Sequence, residues 1–228
     1  MYLRLSLAIV LGAILLAGCA HKKQARRTPP PPAPARAPSS APKPGHTETG
    51  VASWYGHPYH GRRAANGEVY DMEKLTAAHC TLPFDTWLRV VNLGNGKSVE
   101  VRITDRGPFI EGRIIDLSHA AARAIDMIGP GIARVRIQVI RTPDYVPPAV
   151  FAVQVGAFRD RGNAERLRAE MESRYGAARL VQRADTPDLW RVLVGSEATE
   201  EGANALAEKI RKERGEKSAA FVVRVDSM

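Results

Sequence analysis

Three acid–base side chains stand at turns and strand ends of the middle of the chain. Glu68 directly follows the tight-turn pair Asn66-Gly67, His79 follows two alanines, and Asp105 lies where an alternating segment gives way to a Gly-Pro turn. Carboxyl and imidazole groups are the side chains that most often give and take protons in enzymes. We therefore predict that Glu68, His79 and Asp105 converge in one groove around a proton donor.

A hydrolase triad is a weaker interpretation of the nearby residues. Asp116, Ser118 and His119 have the right types, but adjacent residues at a helix start point in different directions. Ser118 instead has the position of a helix N-cap.

A metal site is also disfavoured by the sequence. His57, His60 and His79 lack a cysteine or carboxylate cluster at ligand spacing. We predict neither a metal nor another cofactor.

The charge distribution argues against nucleic acid as a partner. The 228-residue chain has a net charge of +9, and residues 20–48 contribute six basic groups but one acid. Eight of the 16 prolines lie in the same stretch. Residues 142–228 carry fourteen charges of each sign. Most of the excess therefore belongs to a proline-rich tether, which suits anionic lipid headgroups or other polyanions.

The first residues look like an export signal with a lipid anchor. Residues 5–16 are apolar and too short to span a bilayer comfortably. The sequence Leu-Ala-Gly-Cys at 16–19 resembles the lipobox of bacterial lipoproteins, which implies a signal peptide at 1–18, acylation of Cys19 and a membrane partner. Ala20, where an inner-membrane retention signal places Asp, favours the outer membrane. We interpret 19–48 as a lipidated, extended tether.

Residues 49–141 have the pattern of a compact β-barrel. Strands are predicted at 86–93, 98–104, 113–117 and 132–140, with one short helix at 119–125. The pair Asn95-Gly96 indicates a tight hairpin between the first two strands. Many short strands around one small helix favour a barrel.

The last part of the chain, 150–226, contains an internal duplication. A shift of 39 residues superposes Val153, Val155 and Gly156 on Val192, Val194 and Gly195. Each copy predicts a strand, a helix and a second strand, so two copies form a four-stranded sheet with two helices on one face. We expect the other face to be open for a ligand, and 142–149 to be the linker between the domains.

Six motifs resemble rare lipoprotein A, a septal lytic transglycosylase family. They are GVASWYG at 50–56, HGRRAANGE at 60–68, LTAAH at 75–79, TLPF at 81–84, DRGP at 105–108 and GRIIDLS at 112–118. The resemblance implies a double-psi β-barrel at 49–141. The segment VQVGAF at 153–158 is similar to the SPOR domain, which implies a βαββαβ fold that binds glycan strands lacking stem peptides.

The resemblance also implies an activity and its site. A lytic transglycosylase of this kind cleaves peptidoglycan strands endolytically and leaves 1,6-anhydro-N-acetylmuramic acid ends. We predict that Asp105 is the acid and base, that Glu68 stabilises charge or shares the proton, and that His79 orients a carboxylate or contacts the sugar. Gln154, Trp190 and Arg191 are the candidate glycan contacts. We also expect septal location with divisome partners.

Two other classes of function remain open from the sequence. One is a non-catalytic, expansin-like wall binder, and the other is a divisome scaffold whose barrel only binds. The chain departs from the family pattern at Cys80 and Asp85, and at Ser196-Glu197 in the second repeat. Cys80 is expected to be a small buried residue and not a nucleophile.

Overall fold

The computed structural model describes residues 42–183, 186–215 and 218–225. The predicted signal peptide, Cys19 and the tether up to residue 41 lie outside these described residues. None of the helices within the described ranges is both long and apolar enough to cross a membrane.

The first domain is a closed six-stranded barrel, as the sequence predicted. Its strands follow the order β1-β5-β2-β4-β3-β6 around the barrel. The β1/β5 and β2/β4 pairs are parallel, and the other neighbours are antiparallel. The elements are β1 (Thr47–Tyr55), β2 (Thr76–Ala78), β3 (Trp87–Asn92), β4 (Ser98–Asp105), β5 (Arg113–Ser118), α1 (His119–Ala124) and β6 (Ile132–Arg141).

Alternation of apolar residues fills the barrel. Val99, Val101 and Ile103 of β4 are buried, while the intervening residues are more exposed. The predicted hairpin joins β3 to β4, and Gly96 supplies the positive φ of +74° that its turn requires. Ser118 caps α1, because its Oγ accepts the Ala121 N–H at 3.2 Å.

The second domain is a four-stranded antiparallel sheet with the predicted βαββαβ order. Its elements are β7 (Val150–Phe158), α2 (Arg161–Tyr175), β8 (Ala178–Arg183), β9 (Thr186–Glu197), α3 (Glu200–Arg214) and β10 (Phe221–Val225). The strand order is β10-β7-β9-β8, so the two central strands come one from each repeat.

The repeat has a physical basis at one strand–helix contact. A Cβ at Gly156 would stand 2.9 Å from Leu167 Cδ2, and a Cβ at Gly195 would stand 2.6 Å from Leu206 Cδ2. Both pairs are related by the same 39-residue shift. Glycine at each position therefore lets a helical leucine pack directly on the strand backbone.

The sheet face opposite the helices is covered, which corrects the expectation that it stays open. Ala152, Leu193 and Val223 on this face are buried and pack against Phe109 of the barrel. We call this surface the covered face. The reason is compositional: besides Gln154 and Arg191, this face presents these three apolar side chains, which are stabilised by a packing partner.

Candidate active site

Two carboxyl groups flank one alanine at the end of the barrel strands. Ala78 of β2 pairs with Asp105 of β4 on one side and with Asp116 of β5 on the other. The two aspartates are thus separated by two strand spacings, or about 10 Å between backbones. All three residues line a cleft of about 440 Å³, which we call the carboxylate cleft.

The Asp105 carboxylate is surrounded by hydrogen-bond donors. Its Oδ1 accepts from the backbone N–H groups of Ala65 at 3.0 Å and Arg106 at 2.8 Å. It also accepts from Arg183 Nη2 of the second domain at 3.1 Å. Only 19% of the Asp105 side chain is exposed. Charged and backbone donors of this kind bind an ionised carboxylate best.

Asp116 is the second carboxyl of the cleft, and it was not predicted to lie there. Its Oδ1 accepts from Ser53 Oγ at 2.5 Å, and Arg113 Nη2 lies 3.2 Å from its Oδ2. Burial raises the pKa of Asp116, although the Ser53 hydrogen bond and Arg113 oppose the shift. A charged residue between Ile115 and Leu117, in the middle of a buried strand, was the available signal.

Glu68 lies outside the residues that line the carboxylate cleft. Both of its oxygens accept from Arg102, at 2.8 and 2.7 Å, and Arg102 also contacts Asp85 at 2.6 Å. The Arg102 hydrogen bonds lower the pKa of the half-exposed Glu68 carboxyl. The Glu68–Arg102 ion pair therefore links the turn that contains Ala65 to strand β4.

His79 also points away from the carboxylate cleft. Its Nδ1 accepts the N–H groups of Thr81 and Leu82, at 3.2 and 3.1 Å, and its Nε2 lies 3.4 Å from Glu48 Oε2. The backbone N–H of His79 donates to the Asp105 carbonyl at 3.1 Å. His79 directly follows Ala78, and successive side chains at a strand end point to opposite faces.

The expectation that the three side chains share one groove is therefore wrong. Asp105 lines the carboxylate cleft, Glu68 is turned outward by Arg102, and the His79 imidazole lines a second cleft of about 540 Å³. The three residues are connected through the main chain and not through their side chains. The N–H of Ala65, in the turn before Glu68, and the N–H of His79 both donate hydrogen bonds to Asp105.

The second cleft is lined by the partly buried Cys80, which was expected from the sequence to be a buried residue. Burial raises the pKa of this thiol to about 12, with the charges of Arg106 and Asp116 acting in opposite directions. Its Sγ donates to the Pro108 carbonyl at 3.1 Å. Such a thiol is a poor nucleophile at neutral pH.

Aromatic side chains form one wall of the carboxylate cleft. The rings of Tyr55 and Tyr70 stack with centroids 4.4 Å apart, and Tyr70 donates its hydroxyl to the Tyr55 carbonyl at 2.6 Å. The Tyr55 hydroxyl is buried and has no hydrogen-bond partner among the described residues. Burial, and then the charge of Asp105, raise the pKa of Tyr55 well above its ordinary value. A protonated, unpaired phenol can donate to a sugar oxygen.

The candidate glycan contacts of the second domain occupy two different faces. Gln154 and Arg191 alternate with helix-facing valines, so they lie on the covered face, where they are 5% and 6% exposed. Trp190 packs in the core under the helices, with the Arg161 guanidinium 4.9 Å from its ring centroid. Its ring is therefore not on the face that carries Gln154 and Arg191.

None of the described residues forms a group of three His, Cys, Asp or Glu that could hold a metal ion. His57 and His60 contact each other edge-on, with ring centroids 5.8 Å apart. His79, in contrast, lines the second cleft.

Fold and site together define a carboxylate-bearing β-barrel joined to a duplicated α/β sheet. Two family models match these parts: a lytic transglycolase model with a double-psi β-barrel at residues 47–137, and a SPOR domain model at 147–224. The double-psi barrel and SPOR assignments from the sequence are confirmed.

The chain belongs to the rare lipoprotein A family. It is 36% identical over 205 residues to the endolytic peptidoglycan transglycosylase RlpA of Campylobacter jejuni, an alignment that covers 79% of this chain and 73% of that protein. It is 57% identical over 96 residues to RlpA of Vibrio cholerae, which covers 42% and 36% of the two chains.

A third relative is RlpA of Helicobacter pylori strain J99, at 37% identity over 189 residues. That alignment covers 70% of this chain and 60% of the relative, so the chain spans less than two thirds of the Vibrio and Helicobacter proteins. Among solved structures, a Streptomyces papain inhibitor is similar to 43% of this chain and 97% of its own, at 21% identity and a TM-score of 0.37.

Proposed function

We propose that the protein cleaves peptide-free peptidoglycan strands endolytically and leaves 1,6-anhydro-N-acetylmuramic acid ends. Family membership makes the chain a lytic transglycosylase and places it in the bacterial cell envelope. The observation that carries the proposal is the pair of carboxyl groups, Asp105 and Asp116, in one cleft with an aromatic wall. An intramolecular transglycosylation needs no other reactive group from the protein.

Asp105 is the acid and base in this proposal. Its proton goes to the glycosidic oxygen as the bond from that oxygen to the anomeric carbon of N-acetylmuramic acid breaks. The resulting carboxylate then takes the proton of the 6-hydroxyl of the same sugar. That oxygen attacks the anomeric carbon and closes the 1,6-anhydro ring. Asp105 recovers its proton, and no water is consumed.

Asp116 takes the charge-stabilising role that the sequence suggested for Glu68. The transition state has oxocarbenium character, so a second carboxyl near the anomeric carbon stabilises its positive charge. Asp116 lines the cleft, whereas both oxygens of Glu68 are bound to Arg102. Tyr55 lines the same cleft as the two carboxyl groups.

Glu68 and His79 act as positioning residues in this mechanism. The Glu68–Arg102 pair holds the turn whose Ala65 N–H donates to Asp105. His79 organises the following loop through its Nδ1, and its backbone N–H donates to the Asp105 carbonyl. Both residues are thus required for the geometry around Asp105 without touching the sugar.

The same proposal includes the form of the glycan substrate, the lipid anchor and the location in the cell. Gln154 and Arg191 on the covered face are polar groups suited to a sugar strand, which supports binding of peptide-free glycan by the SPOR domain. The Leu-Ala-Gly-Cys sequence supports lipidation of Cys19 and anchoring at the outer membrane. We further propose enrichment at the division septum, with divisome proteins as partners.

The test is product analysis on glycan strands whose stem peptides have been removed by an amidase. Mass spectrometry should find new internal breaks that carry 1,6-anhydro ends. Reducing ends would indicate hydrolysis, and binding without any product would indicate a wall-binding protein. Intact peptidoglycan, with its stem peptides, is the matched control and should be cleaved more slowly.

A further inference from the structure

The SPOR sheet covers the carboxylate cleft with the face that carries its polar glycan candidates. Phe109 of the barrel packs on Ala152, Leu193 and Val223, and its ring meets Phe221 edge-on, with centroids 6.2 Å apart. Gln154 and Arg191, on the same face, retain 5% and 6% of their exposure. A sugar strand therefore has no access to this face while the barrel occupies it.

The same contact places a cation on the candidate acid. Arg183, at the end of β8, donates from Nη2 to Asp105 Oδ1 at 3.1 Å, and both side chains are less than one-fifth exposed. A guanidinium at this distance favours the ionised carboxylate. The proposed mechanism requires a protonated Asp105 at its first step, so this contact opposes catalysis.

A third contact joins the two domains through the main chain. The N–H of Arg224, on the edge strand β10, donates to the Cys80 carbonyl at 3.0 Å. Nearby, Glu200 of α3 and Thr81 of the barrel line the same second cleft. The docked arrangement thus combines apolar burial, an ion pair and an edge-strand hydrogen bond, which is the pattern of a specific interface.

We propose that the covered face is an autoinhibitory surface, on which the barrel and a peptide-free glycan strand compete. The proposal rests on the proposed function. Docking holds Arg183 on Asp105 and hides Gln154 and Arg191. A glycan strand that binds the sheet displaces the barrel, and this withdraws Arg183 from Asp105. Cleavage is thereby coupled to recognition of the strand.

Cys80 offers a readout of undocking that does not depend on catalysis. Cys80 is partly buried at the second cleft, which residues of α3 and β10 help to line. Undocking removes that cover and increases the thiolate fraction and the access of reagents. The chain has two cysteines, Cys19 and Cys80. In the full chain carrying Cys19→Ser, labelling therefore reports on Cys80 alone.

The experiment measures Cys80 labelling by an aromatic disulfide reagent in Cys19→Ser chains with and without Arg183→Gln. Arg159→Gln is the matched control, since Arg159 is 84% exposed on the same domain. We expect Arg183→Gln to accelerate labelling about tenfold, the effect of losing one charge-assisted hydrogen bond. We expect peptide-free glycan to accelerate labelling of the chain that retains Arg183, and the Arg159→Gln control to behave like that chain.

Product formation is measured in the same samples. A faster initial rate of glycan cleavage in Arg183→Gln, together with faster labelling, supports autoinhibition. Equal labelling with and without glycan, and equal labelling in Arg183→Gln, overturns it even if cleavage is normal. Labelling that responds to glycan without any cleavage product supports the competing surface and overturns the proposed enzyme mechanism.

Discussion

Asp105 and Asp116 lie opposite the same residue, Ala78, on the two strands that flank β2. Because side chains in register on neighbouring strands share a face, this pairing aims both carboxyls into one cleft. Their surroundings differ: the donors to Asp105 include two backbone N–H groups and the Arg183 guanidinium, while Asp116 accepts from a serine hydroxyl. The strand register thus positions two carboxyl groups in one cleft with different hydrogen-bond partners.

Asp105→Asn should abolish formation of anhydro ends. The amide cannot cycle a proton, and loss of a general acid and base typically costs about 10²- to 10⁴-fold in rate. The measurement is anhydro-end formation on peptide-free glycan, with folding checked by circular dichroism. Asp126→Asn is the control, because Asp126 is an exposed surface residue whose left-handed φ of +55° suits asparagine. Undiminished turnover in Asp105→Asn would exclude the proposed role.

Glu68→Gln should lower kcat about 10- to 100-fold and leave glycan affinity nearly unchanged. Without its bidentate bond to Arg102, the turn that carries Ala65 loses its fixed position against Asp105. Arg102→Gln should reproduce the effect, since either change breaks the same pair.

Glu100→Gln is the matched control for this prediction, because Glu100 lies on β4, the strand of Arg102, and the substitution breaks its half-exposed pair with Arg89 of β3. If Glu68 itself carried the proton, Arg102→Gln would retain much of the activity that Glu68→Gln loses. That pattern would contradict the positioning role.

The Asp116 carboxyl should titrate above the ordinary aspartate value of 3.8. Burial disfavours its charged form, so the folded protein binds more protons than the unfolded chain just above that pH. The unfolding free energy contributed by this group therefore falls as pH rises through the window between the unfolded and folded pKa. Carbon-detected NMR of the carboxyl gives the pKa directly.

Asp116→Asn removes that pH dependence, so its stability relative to the native chain should increase as pH rises above about 3.9. Chemical denaturation at several pH values tests the sign. A folded pKa of Asp116 at or below the ordinary value would show that Ser53 and Arg113 outweigh burial.

Gly195→Ala should lower the unfolding free energy of the second domain by about 1–2 kcal/mol. Gly195 has a φ of +78°, where an L-residue is strained, and its Cβ would stand 2.6 Å from Leu206 Cδ2. Gly129→Ala is the control, because it has no positive φ and nothing lies within 4 Å of the added Cβ. Equal denaturation curves for the two variants would contradict the close strand–helix contact.

Strands with clean alternation or a turn signal could be predicted from the sequence. The β3–β4 hairpin, with Asn95-Gly96 at its turn, is one example, and the duplicated strand-helix unit is another. The strands β1 and β2 were not predicted, because β2 has three residues and both depend on partners distant in the sequence. Local pattern contains no information on such pairing.

The candidate site was predicted only in part for a related reason. Residue type and family resemblance select Asp105, Glu68 and His79, but side-chain direction depends on where β2 ends and on what Arg102 binds. Asp116 was assigned to a weak triad, although a lone carboxylate in a buried strand was visible. The covered face was expected to be open because the sequence pattern of the second domain does not show that the barrel packs against it.

The strand order β10-β7-β9-β8 interleaves the two repeats. Strands β7 and β8 belong to the first repeat, yet β8 pairs with β9 and β10 pairs with β7. Neither half of the duplication contains a strand pair of its own. The strands of one half alone therefore have no neighbouring strand with which to form hydrogen bonds. The sheet therefore forms only from both repeats together, and it is complete when Phe221–Val225 pairs with β7.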